Sequence, residues 1–263
     1  VRPDMAEKFG EDGIARAKKD GLDALQTLET AWLAADPFLA DLIEYFESRG
    51  HLATAAEYVA IDSLRAPRLP DSADFDVGAC LGIPVRAAHR CVFADGPVTD
   101  QRILVTGGAG RVGHYAIQWA RHGGARVIAT ASNEADAAAC KAAGADRVVN
   151  HREPGWGEQV LDLTDGEKMD RVIDVEFGAN LPELLKCVRI GATIATYSST
   201  VVPEPSLPFR TMMFMDLTVR MVIVYAMPED AKAQAVADTQ TLLTSNTLQH
   251  RIADRLPFEQ MAQ

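Results

Sequence analysis

Between residues 103 and 132 the chain reads ILVTGGAGRVGHYAIQWARHGGARVIATAS. An apolar run, a glycine-rich turn, an amphipathic stretch and a second apolar run follow one another with no spare residues between them. Few folds accept that order. It calls for two parallel strands joined by a right-handed helical crossover. Within it Gly108, Gly110 and Gly113 form GxGxxG, the pattern that lets a strand turn sharply into a helix beside a pyrophosphate. Gly108 is expected to permit the tight turn, Gly110 to leave room for backbone amides to approach the anion, and Gly113 to let the helix pack closely on the strand. The unpaired N–H groups of the helix N-terminus then face the phosphates. Glycine turns also occur without ligands, so the weight of the motif lies in its complete βαβ setting.

The alternation continues along the chain. Further strands are expected at residues 147–150, 171–175 and 193–197, with helices at 133–143, near 157–163 and at about 180–188. Strands alternating with helices at this spacing predict an α/β fold, a doubly wound parallel sheet of the Rossmann type. The first fifty residues differ. Leu22, Leu25, Leu28, Trp32 and Leu33 mark one amphipathic helix, and Phe38, Leu39, Leu42, Ile43 and Phe46, after the Asp36-Pro37 start signal, mark a second. The division expected is a helical N-terminal segment over 1–50, a remnant strand and Pro-containing linker over 51–74, and a dinucleotide-binding domain over 75–263.

Charge narrows the possible partners. Lys and Arg total 26 against 37 Asp and Glu, a formal net charge of −11, which argues against nucleic acid or an anionic membrane surface. Any phosphate must be held locally, by backbone amides and a few placed cations. The cysteines, Cys80, Cys91, Cys140 and Cys187, are too widely spaced for a CxxC motif or a disulfide framework. The longest apolar stretch, residues 219–227, contains Arg220 and is too short to span a bilayer. A cytoplasmic location, no metal and no membrane association are expected.

The end of the second strand discriminates between nicotinamide cofactors, because an acidic side chain there accepts from the ribose 2′-hydroxyl and repels a 2′-phosphate. Here it ends in Thr130, Ala131, Ser132 and Asn133, with Glu134 on the next helix and Arg152 as a candidate cation. NADP(H) is expected over NAD(H). Ser132 alternatively serves only to cap the following helix.

With AEYVAI, ACLGIPVRAAHR, VTGGAGRVG, IATAS, AAGADRVVNHRE, VIDVEFGAN, RIGATIATYSS and RLPFEQMAQ in order, the chain resembles the medium-chain dehydrogenase/reductases. Within these it is similar to the zinc-free quinone oxidoreductases of the zeta-crystallin type. The resemblance implies that backbone amides of Ala109, Gly110, Arg111 and Val112 wrap the pyrophosphate, with Ser132 beside the adenosine ribose phosphate and His151 on the adenosine side. It places Asn180, Tyr197, Ser198 and Ser199 along the cofactor cleft. Residue by residue, simpler readings exist: a solvated or capping role for His151, and turn chemistry for Asn180 and the serine pair. The resemblance further implies hydride transfer from NADPH to a small acceptor, a quinone or an activated alkene or carbonyl compound, with the chemistry on the nicotinamide and no side chain identified as catalytic. It also implies a homodimer through the apolar segment 217–225, which could equally be the last strand of one subunit's sheet.

Two departures stand out. The family's Thr near the nicotinamide is replaced by Ala87, and the GroES-like β domain that precedes the AEYV strand is represented only by that strand, with helical residues in its place. The alternative function is therefore a non-catalytic NADP(H)-binding module that has lost its substrate domain. A short-chain dehydrogenase is disfavoured, since none of Tyr45, Tyr58, Tyr115, Tyr197 or Tyr225 has a lysine four residues on. A methyltransferase is disfavoured by the lack of an acid at the second strand's end.

Overall fold

The computed structural model describes residues 66–256. The helical hairpin expected over 1–50, the AEYVAI strand and nearly all of RLPFEQMAQ lie outside the described residues. Leu69–Asp254 form one compact unit. It opens with helix α1, Phe75–Phe93, which starts where the Asp74 carboxylate accepts from the Val77 N–H at 2.8 Å. Gly82 departs from helical geometry next to Pro84, so the GIP segment kinks α1. Beyond the kink Val85, Ala88, Cys91 and Val92 are buried.

The alternating pattern then resolves into β1 (Arg102–Val105), α2 (Arg111–His122), β2 (Arg126–Ala131), α3 (Glu134–Ala142) and β3 (Arg147–Asn150). It continues through α4 (Trp156–Asp162), β4 (Met169–Asp174), α5 (Phe177–Cys187), β5 (Val188–Thr196), α6 (Phe209–Phe214), β6 (Thr218–Met221) and α7 (Glu229–Thr244). The strands pair in parallel in the order β3-β2-β1-β4-β5-β6. That is the dinucleotide-binding order, with the direction of winding reversing beside β1. Both faces of the sheet are covered, which explains why the strands read as continuous apolar runs. One core gathers Val85, Ile117, Trp119 and Leu243, the other Trp156, Val160, Leu181 and Leu184.

Several boundaries differ from the sequence reading, β4 among them, which starts at Met169 rather than 171. Helix α5 begins at Phe177 rather than near Asn180 and runs directly into β5, which starts at Val188 rather than 193. The extra strand residues are accommodated by an irregularity opposite Met169 and Arg171 and by Gly191 at φ 72°. The apolar segment 217–225 is only partly strand. Once the Val222 N–H reaches the Thr196 carbonyl, at the end of β5, pairing stops and the chain turns into a 3-10 helix at Val224–Ala226.

Polar groups brace this frame. Arg171 on β4 is buried and donates to the Cys91 carbonyl at 2.9 Å and to Asp95 at 3.0 Å, while Arg220 on β6 also pairs with Asp95. The cysteines in the described part are free, and burial pushes the thiols of Cys91 and Cys187 up to about 12 and that of Cys140 to about 11. Thiols so protonated are poor nucleophiles. Burial also holds His89 and His114 below the ordinary 6.5, in His89 against the opposing pull of Asp238 at 2.8 Å.

The unfolded chain therefore takes up these protons first. The stability contributed by the neutral imidazoles is present above 6.5 and is lost as pH falls through the lower folded-state values. Acidification from about pH 7.5 to about 5.5 is expected to remove on the order of 1 kcal/mol, a fall of roughly 2–4 °C in Tm. Thermal melts across that range check it, and His114→Gln, which keeps a donor for the Gln249 carbonyl, should flatten the profile.

Candidate functional site

Ligands of doubly wound sheets bind outside the carboxyl ends of the strands at the reversal point. Here the tips of β1 and β4 lie side by side, followed by the glycine turn and by Val175-Glu176 respectively. Gly107, not Gly108, makes the tight turn: it has φ 58°, and its N–H donates to the Thr130 hydroxyl at 3.0 Å. Gly108 serves packing instead, since an added Cβ would lie within 2.9 Å of Ala129, Cys140 and Ile117 side-chain atoms. Gly113 admits no Cβ because one would sit 2.3 Å from the Gly107 carbonyl oxygen.

Gly110 is the N-cap of α2 and supplies no side-chain cap, so the first-turn N–H groups of Arg111, Val112 and Gly113 lack intrahelical acceptors. The Gly110 N–H itself is committed to the Gly107 carbonyl at 2.9 Å. The donors available to an anion are thus those of Ala109 and the helix start rather than of Gly110. A Cβ on Gly110 would meet only the Gly107 oxygen, at 3.1 Å, so the space above the loop is open. An uncapped helix start beneath an open, glycine-rich loop is the cradle a pyrophosphate requires.

At the end of β2 the helix cap is Asn133, whose side chain accepts from the Asp136 N–H at 2.9 Å, and not Ser132. The first turn of α3 also corrects the expectation of an acid-free tip. Asp136 folds back so that its carboxylate accepts from Asn133 Nδ2 at 2.9 Å and faces the Ser132 hydroxyl at 3.4 Å. His151 is exposed just past β3, with its N–H on the Ala131 carbonyl at 3.1 Å; desolvation and then Arg152 lower its pKa, while Asp136 opposes them. Arg152 is exposed, and the cation held at the glycine loop is Arg251, which donates to the Ala109 carbonyl and stands 3.7 Å from Asp136.

The other end of the crevice is organised by Asp174, fully buried at the tip of β4. Its carboxylate accepts from Thr106 and Asn180 at 2.8 Å, from the Glu176 N–H at 3.2 Å and from Thr196 at 3.3 Å. Burial raises its pKa, and these donors work against that rise. Glu176 next to it accepts from the N–H groups of Thr200 at 2.8 Å and Val201 at 3.1 Å, fixing the loop after β5.

The residues expected along the cleft meet here, but several are engaged in holding it. Asn180 is turned onto Asp174. Ser199 accepts from the Gly178 N–H at 2.9 Å and donates to the Val202 carbonyl at 2.6 Å. Tyr197 packs against the core, where burial pushes its phenol up, whereas Ser198 pairs at 3.1 Å with the exposed Thr200. Ala87, in place of the family's Thr, packs with Val224 and Met227. A hollow of about 390 Å³ lined by Leu181, Pro182, Leu185 and Val202 lies against α5 and includes none of the residues singled out for the cofactor.

Residues 112–240 match the family described as zinc-binding dehydrogenase. A quinone oxidoreductase of Pongo abelii is 28% identical over 211 residues, which cover 79% of this chain and 63% of that protein. A mycobacterial protein solved in complex with NADPH superposes with a TM-score of 0.66 at 26% identity, over 73% of this chain and 60% of its own. The chain is similar to medium-chain dehydrogenase/reductases. Another solved structure, an NAD-dependent alcohol dehydrogenase, has a TM-score of 0.67 at 29% identity, over 75% of this chain and 56% of that one. The chain thus spans under two thirds of the length of these relatives. The family description mentions zinc, but among the described residues no group of three His, Cys, Asp or Glu side chains could hold a metal ion. Among the same residues, no helix is long and apolar enough to cross a membrane.

Proposed function

We propose that the chain is the NADP(H)-binding part of an oxidoreductase that transfers a hydride from NADPH to a small quinone or an activated alkene or carbonyl acceptor. The observation that carries this reading is the uncapped glycine loop and α2 start at the reversal point of a β3-β2-β1-β4-β5-β6 sheet. Similarity to quinone oxidoreductases and to a protein solved with NADPH supports the choice of cofactor and reaction class. In this reading Ala109, Arg111 and Val112 hold the pyrophosphate through their N–H groups, with Ser132 and His151 at the adenosine side. Asp174 and Glu176 keep the β4 and β5 tips and the 197–201 segment in place, so that Tyr197 and Ser198 border the reactive end and the acceptor is positioned with water excluded. The bound nicotinamide supplies the hydride.

The exposed edge of the sheet belongs to the same proposal. Among the described residues, strand β6 pairs only with β5 and carries exposed Met221, with exposed Phe209 and Phe214 on α6. An uncovered apolar edge invites a second copy, and we infer a homodimer in the cytoplasm. The test is NADPH oxidation in the presence of a small quinone, with the particle mass measured by light scattering. Turnover above the protein-free rate is expected from a dimer. NADPH binding without turnover would favour the second reading, a non-catalytic NADP(H) module.

A further inference from the structure

We propose that Asp136 and Arg251 together select the cofactor at the adenosine end of the crevice. Arg251 is the cation that receives a 2′-phosphate, and Asp136 is the carboxylate that opposes one. The inference rests on the reading of the crevice as a nicotinamide dinucleotide site. Asp136 is fixed at the β2 tip by its contacts with Asn133 and Ser132, where the sequence had suggested no acid. Arg251 reaches the same place from the far end of the described chain.

Its position is set by α2. Gln118 donates to the Gln249 carbonyl at 3.0 Å and accepts from the Gln249 N–H at 2.7 Å, His114 Nε2 lies 3.0 Å from the same carbonyl, and the Tyr115 hydroxyl pairs with His250 at 2.9 Å. With residues 249–250 pinned to the helix that follows the glycine loop, the Arg251 guanidinium spans from the loop carbonyl of Ala109 to Asp136. A bound dinucleotide bridges the same two elements, pyrophosphate at one and ribose at the other.

The two cofactors ask different things of this pair. A ribose 2′-hydroxyl donates to Asp136 and leaves the Asp136–Arg251 pair standing. A 2′-phosphate cannot donate, is repelled by the carboxylate, and must draw Arg251 away from it. Selection is therefore a contest between one anion in the protein and one in the ligand for a single guanidinium, and removing either partner moves the outcome in opposite directions.

Calorimetric binding of NADPH and NADH to the full chain tests this. Asp136→Asn is expected to tighten NADPH about ten-fold and Arg251→Gln to weaken it about ten-fold, the scale of one charge-assisted hydrogen bond, with NADH changing less than about two-fold after Arg251→Gln. Equal weakening of both cofactors by Arg251→Gln would mean that Arg251 merely holds the loop, and would overturn the proposal. So would an unchanged NADPH-to-NADH ratio in Asp136→Asn. If the wild-type chain binds both cofactors and the ratios do not move, the selector alone falls. If it binds neither, the dinucleotide reading falls and takes the selector with it.

Discussion

Gly113→Ala is expected to abolish measurable NADPH binding and to lower stability by about 2 kcal/mol, some 4–8 °C in Tm, although alanine is the better helix former. The new Cβ would sit 2.3 Å from the Gly107 oxygen and 2.9 Å from the Gly108 Cα. Both are backbone atoms of the loop, so no side-chain rotation relieves the clash. The loop itself must move, and it is tied through the Gly107 and Gly108 amides to Thr130. Gly110→Ala separates the two effects. Its Cβ would touch only the Gly107 oxygen, at 3.1 Å, so the melting temperature should fall by no more than about 2 °C while binding drops because the methyl occupies the anion's side of the loop. Equal melting temperatures for Gly113→Ala and wild type would refute the packing argument.

The second large effect is expected at Asp174. Replacing it by Ala strips the acceptor from two hydroxyls, one side-chain amide and one backbone N–H in a fully buried place. Stranded buried donors are costly, and a loss of about 3 kcal/mol is expected, or roughly 6–12 °C in Tm. Asp174→Asn keeps one acceptor oxygen but turns an NH₂ toward donors, and should lose about half as much. The cofactor site should suffer in step, because Thr106 precedes the glycine turn and Asn180 lies in the first turn of α5. A melt for Asp174→Ala within about 2 °C of wild type would show that water or neighbouring carbonyls replace the carboxylate.

The βαβ alternation and the glycine turn were legible because each depends on neighbours in sequence: apolar runs, a turn, an amphipathic stretch. What escaped depended on distance or on choice between equals. In Gly107-Gly108 either residue could take the left-handed turn, and only contact with Ala129, Cys140 and Ile117 from other elements reserves Gly108 for packing. Ser132 and Asn133 are both good caps, and the register of α3 decided for Asn133. Asp174 ends an ordinary apolar strand run, VID, and is marked out only by donors just past β1, on β5, on α5 and at the Glu176 N–H. Asp136 lies on the helix beyond β2, where only the fold of its first turn brings the carboxylate back to the strand's tip, and Arg251 lies too far along the chain for any local pattern to bring it to the glycine loop.

The clamp of Arg171, Asp95 and Arg220 bears on how this protein can be dissected. A boundary drawn at the first strand would look natural, since the glycine motif begins there. Such a cut would remove the Cys91 carbonyl and the Asp95 carboxylate and leave Arg171, 4% exposed, as an uncompensated charge inside the sheet's flank. The smallest portable piece must therefore carry helix α1 with it. Any recombination that grafts this nucleotide-binding unit onto another substrate domain has to place its junction before Asp74, not at the strand.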